Sequence, residues 1–83
     1  MNYKLENPGF VGTIQICSDR GHLVKTIINN NLLGTEGLYI WDGTNQEGRL
    51  SPIGMYIVLY EFFDSSGEIR KGKHVCVLGQ QLN

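Results

Sequence analysis

Neither sign of charge prevails in this chain, which sets seven lysines and arginines against eight acidic residues for a net charge of −1. Binding to nucleic acid draws most of its affinity from clustered cations. The one basic cluster, Arg70, Lys71 and Lys73, is interrupted by Gly72 and reads as a solvated strand edge. No apolar run approaches the roughly 20 residues that cross a bilayer, so membrane insertion is not expected. The start, Met1-Asn2-Tyr3-Lys4, lacks the regions of a signal peptide, so any export signal of a parent protein is expected upstream. Two cysteines, Cys17 and Cys76, stand far apart without a CxxC or HxxxH companion, which argues against zinc. A disulfide between them and a pair of free thiols both remain open.

Catalytic constellations are missing as well. His22 follows a turn and His74 lies two residues from Cys76 on one strand face, but no oxyanion loop or orienting third residue accompanies them. The glycines are scattered one per turn, with no phosphate-binding or dinucleotide fingerprint. Asp42, Asn45 and Glu47 make an oxygen-rich loop without calcium-ligand spacing, and turn capping explains it better. No enzyme activity, metal or cofactor is expected.

With 83 residues, 41% hydrophobic and 18% charged, the chain suits one ordered domain with one core, 1–83. Nothing in it sustains a helical period. Glycine-punctuated segments instead alternate as strands do. Strands are expected at Asn2 to Glu6, Phe10 to Cys17, His22 to Asn29, Gly37 to Trp41, Met55 to Phe63 and Glu68 to Leu78. Asn29 through Gly37 is expected to be the longest loop, with Leu32-Leu33 tucked over a sheet edge. Tight turns are expected at Ser18 to Gly21 and Asp64 to Gly67, with Gly21 and Gly67 closing them. Met55 to Phe63 is apolar on both faces and reads as a central strand. About six to seven short strands without crossover helices define an all-β, antiparallel β-sandwich.

The most distinctive segment is Trp41-Asp42-Gly43-Thr44-Asn45-Gln46-Glu47-Gly48, followed by Gly54-Met55-Tyr56. Physically, Trp41 is a core anchor, Asp42 a turn cap, and Gly43 and Gly48 residues in conformations that side chains forbid. Gly54 lets the chain swing into the next strand, and Tyr56 offers a ring with a hydroxyl at the rim. Together with Gly21 to Thr26 and the Asp64 to Gly67 turn, this pattern resembles the immunoglobulin-like domain of the flagellar hook-capping protein family. Similar domains stand at the C-termini of secreted and cell-surface proteins, including type IX secretion cargo. The resemblance implies an immunoglobulin/fibronectin-III-like sandwich and a C-terminal fragment of a larger secreted, surface or periplasmic protein. As a non-catalytic accessory module, the chain would contact neighbouring domains or export machinery.

Two alternatives stay open. Tyr39, Trp41, Tyr56 and Tyr60 suit a carbohydrate-binding platform, and the resemblance itself allows a hook-cap-like assembly subunit. Family members carry a further strand ahead of this region. Without it, Asn2 to Glu6 would leave an unpaired ladder and favour a strand-edge homodimer.

Overall fold

The computed structural model describes residues 2–5 and 7–79, so Met1, Glu6 and the tail 80–83 lie outside the described residues. Among the described residues six strands form: β1 (Asn2–Lys4), β2 (Val11–Ser18), β3 (Leu23–Leu32), β4 (Glu36–Leu38), β5 (Gly54–Phe63) and β6 (Ile69–Leu78). Among the described residues no helix is long and apolar enough to cross a membrane. Every pairing is antiparallel, and the strands form two sheets, β1-β4 and β3-β2-β5-β6. The protein is therefore an all-β domain of two antiparallel sheets, as its alternating segments predict.

Strand β5 is central, as expected, with β2 on one side and β6 on the other. Its unbroken register with both neighbours sets which residues share a face: Ile14 stands opposite Tyr60 and Ile16 opposite Val58, while Gly72 stands opposite Tyr60 and Cys76 opposite Tyr56. These residues point to the inner face, toward the small sheet. Leu5, Phe10, Ile14, Ile28, Leu33 and Phe62 form the buried cluster there, with Tyr3, Tyr39, Val58 and Tyr60 packed against it. Each buried aliphatic or aromatic side chain contributes about 1.5–3 kcal/mol, so this face dominates stability.

Aromatic rings bridge the sheets. Tyr3 stacks on Tyr39 at 5.8 Å and meets Phe62 edge-on at 5.5 Å, while Tyr60 lies 5.4 Å from Phe62. Burial first, and then the adjacent Tyr39, raises the Tyr3 phenol above its ordinary pKa. Three of these rings lie on bare glycine backbone: Tyr3 over Gly37, Phe62 over Gly12 and Tyr60 over Gly72. A Cβ at Gly12 would sit 2.6 Å from both Phe62 and Leu33, so glycine is needed for the ring to settle.

Two expectations need correction. Strand β3 runs on to Leu32, through the asparagines read as the start of a loop, because it is bulged. Val11 pairs with Leu32 and Cys17 with Leu23, so seven residues of β2 span ten of β3, and the register slips at three places. Asn30 sits at one slip with φ 53°, and its amide donates to Thr13 Oγ1 at 3.1 Å. Asparagine tolerates that left-handed conformation, which is why the bulge can replace a turn. Leu33 is buried as expected, but Leu32 is exposed. The second correction concerns Trp41, which lies beyond β4. In and out alternation continues through Tyr39, Ile40 and Trp41, yet the ladder with β1 is described only to the pair Asn2 and Leu38.

The outer face of the large sheet is different. Met55, Leu59, Phe63, Ile69, Val75 and Val77 all point there from β5 and β6 and all are exposed. Val75 and Val77 retain 63% and 73% of their accessible surface, so no described residue covers them.

Candidate functional site

The segment 41–56 is where the distinctive residues meet, and the structure accounts for each in turn. The Trp41 indole is half-buried, packs edge-on against Tyr56 at 4.9 Å, and donates its Nε1–H to the Thr44 carbonyl at 2.8 Å. Asp42 Oδ1 accepts from the Thr44 amide at 3.0 Å and the Thr44 hydroxyl at 2.5 Å, which makes it the cap of this turn. Those bonds, the hydroxyl's first, hold the Asp42 carboxyl below the usual carboxylate range. Gly43 and Gly48 adopt φ 84° and 83°, and Gly43 is buried against Leu78. Gly54 opens β5 at φ 153°.

Tyr56 is buried at the first turnings of β5, and its hydroxyl donates to the carbonyl of Pro52, four residues upstream, at 2.5 Å. That bond ties the chain entering β5 to the strand itself. Tyr56→Phe keeps the ring and deletes the bond, leaving the carbonyl to find water. A loss of about 1–2 kcal/mol is expected, read as a lowered urea midpoint with an unchanged slope; an unshifted midpoint would show that the hydroxyl carries nothing.

Loop 42–51 also closes an edge. Asn45 and Ser51 amides bond back to Arg49 and Gly43 carbonyls, which folds the loop on itself. Gln46 then lies along β3, its amide donating to Val24 O at 3.0 Å while its side-chain oxygen accepts from Thr26 N at 2.9 Å. A glutamine thus does for one rung what another strand would do. Lys25, on the same strand, donates to Thr44 Oγ1 at 2.9 Å and stands 3.7 Å from Asp42. Lys25 and Gln46 are structural participants that carried no signal in the sequence, since both bonds cross some twenty residues.

One local device recurs at three turns. Ser18 Oγ accepts from Arg20 N and His22 N, Asn45 Oδ1 from Glu47 N and Arg49 N, and Asp64 Oδ1 from Ser66 N and Glu68 N. In each the residue three positions on is a glycine at positive φ: Gly21, Gly48 and Gly67. The Ser66 hydroxyl, 2.6 Å from Asp64 Oδ1, is the main cause holding the Asp64 carboxyl below its ordinary range. A depressed folded-state pKa contributes stability that is present above the unfolded value and lost as pH falls through the folded one. Asn45 performs the same bonding without a charge. Asp64→Asn is therefore expected to keep the fold at neutral pH and to flatten the stability loss below about pH 4; an acid limb as steep as the parent's would contradict this.

The chemistry-bearing residues do not converge. His74 stacks on Tyr60 at 5.7 Å, and His22 is exposed beyond its turn. Cys17 and Cys76 are free thiols, one buried and one half-buried. Cys17 pairs with Ile57 and Cys76 with Tyr56, so alternation puts the thiols on opposite faces with β5 between them. Among the described residues no three histidine, cysteine or acidic side chains gather to hold a metal. Arg70 faces inward beside Glu68 at 2.7 Å, while Lys71 and Lys73 face outward, so the basic cluster is split between faces. The four candidate stacking rings do not line up as one platform either. Trp41 closes on the buried Tyr56, Tyr39 on Tyr3, and Tyr60 on Phe62 and His74. An open groove of about 740 Å³ lies between the β2–β3 turn and loop 45–54, walled by Leu23, Leu50, Ile53 and Met55.

Set against models of protein families, curated proteins and solved structures, the chain matches none of them. What its geometry defines is a small β-domain whose distinctive residues are spent on its own fold, consistent with a structural or interaction module.

Proposed function

We propose that this chain is a non-catalytic, immunoglobulin/fibronectin-III-like accessory module of a secreted or cell-surface protein, which works by contact with neighbouring domains and with export machinery. The observation that carries the reading is the Tyr56 hydroxyl bonded to the Pro52 carbonyl where β5 begins. Immunoglobulin-like sandwiches place a tyrosine in this way at the corner leading into the strand beside their sheet's centre. The order β3-β2-β5-β6 set against β1-β4 supports the same reading, with one hairpin at each end of the large sheet and β4 crossing to the other. Contact is what remains for such a module to offer. Among the described residues no strand pairs with the far side of β6 or of β1, and exposed apolar side chains lie toward both ends of the outer face.

The test is deletion from the parent protein. Removing the module is expected to reduce secretion or surface display of the parent while leaving its other activity measurable in lysates. Secretion and display at the parental level would overturn the export role.

A further inference from the structure

The outer face of the large sheet carries its side chains in rows that run across all four strands. One row joins Leu32, Val11, Phe63 and Ile69, and another joins Leu23, Cys17, Ile57 and Val75. Between them run two further, more polar rows: Thr13, Glu61 and Lys71, in which Glu61 and Lys71 are cross-strand partners, and Thr26, Gln15, Leu59 and Lys73, in which Lys73 stands at the β6 edge. The apolar rows therefore lie toward the two ends of the strands, and the one acidic group between them is matched by its own neighbour.

We propose that this face packs against the same face of a second copy of the chain, about a two-fold axis lying parallel to the strands between β2 and β5. The proposal rests on the reading above that surface contact is what the module does, and it names one partner. A two-fold in that direction carries each row onto itself. Leu23 then meets Val75 of the second copy, Leu32 meets Ile69, and Val11 meets Phe63, so apolar rows cover apolar rows. The polar rows meet their own images with Glu61 opposite Thr13 and Lys73 opposite Thr26 of the second copy, and no two like charges oppose each other. A two-fold perpendicular to the strands would instead set Lys71 against Lys73 across the interface.

Area favours the axis at the sheet centre. Four strands about 4.8 Å apart and eight to ten residues long present roughly 600 Å² of sheet plane, which side-chain relief brings near the ~800 Å² per partner of a standard interface. Aligned packing of two such faces is the usual way for a sheet to bury its second side.

Sedimentation of the full chain tests this with two variants at exposed, opposed edge positions, Leu23→Asp and Val75→Lys. The parent is expected to dimerise with rising concentration, and each variant alone to bind itself at least about tenfold more weakly, since a charge then faces an apolar group. An equimolar mixture is expected to recover a dimer, because the new acid of one chain faces the new base of the other. Circular dichroism checks that both variants fold, and the charge-swapped pair Leu23→Lys and Val75→Asp serves in their place, with the same mixing test, if either does not. A parent that stays monomeric to about 1 mM, a dimer indifferent to both variants, or a mixture that fails to recover it would each overturn the proposal. A monomeric parent would leave the accessory role standing, because that role is read from export of the whole protein.

Discussion

Phe62→Ala is expected to remove most of the stability of this protein. The ring is buried between Tyr3 and Tyr60 and lies over the bare backbone of Gly12. Truncating a buried phenylalanine costs about 3–5 kcal/mol, part of it lost transfer energy and part the cavity left behind. Small domains hold some 5–15 kcal/mol in all, and a chain this short belongs toward the lower end. The neighbours offer little relief, because Gly12 has no side chain to move in and Tyr3 is held by its stack on Tyr39. A urea midpoint lowered by about 2 M or more is the expected readout, taking a slope of ~1–2 kcal/mol per molar. A shift below about 0.5 M would mean that the two sheets are held together elsewhere.

Trp41→Ala has the second largest expected effect, and it also decides between rival readings of the loop. Alanine removes the edge-on contact with Tyr56 and the N–H bond to Thr44, at a cost of about 2–4 kcal/mol. Since Thr44 also receives Lys25 and is capped by Asp42, the loop is expected to loosen from β3. Amide exchange at Gln46 and Thr26 should then rise before the sheet itself opens. Trp41→Phe keeps a ring but no donor, and is expected to cost about 1–1.5 kcal/mol. If the alanine variant kept parental stability while losing glycan binding, the ring would be a carbohydrate platform instead of a fold element.

Much of the sheet was legible because burial on one face leaves a period of two in the sequence. Ile14 and Ile16, with Phe10 just ahead of the strand, alternate with more polar residues and are buried positions of the β2 segment, and the two-sided apolar run of β5 named the central strand. The turns were legible through their glycines and through Ser18 and Asp64, whose side chains act within four residues. What stayed hidden depends on distant pairing. The length of β3 follows from three bulges against β2, and a run of asparagines looks the same in a turn as in a bulged edge. Trp41 reads as a strand end because its alternation persists beyond β4, whose last residue is Leu38. The bonds from Gln46 and Lys25 to their partners have no local trace, since each depends on loop 42–51 being laid along β3. The exposed outer face was visible only as apolar character; its rows needed the register.

The placement of the two thiols has a consequence for the history of each molecule. In an unfolded chain Cys17 and Cys76 are simply two reactive ends of a long loop, and oxidation can join them. Once β5 stands between their strands, their backbones are about 10 Å apart across two strand spacings, beyond the ~7 Å that a bridge can span. A chain in which oxidation joins the two thiols before folding therefore has to have that bond reduced or exchanged before its native sheet can form, whereas the folded sheet keeps the two thiols apart.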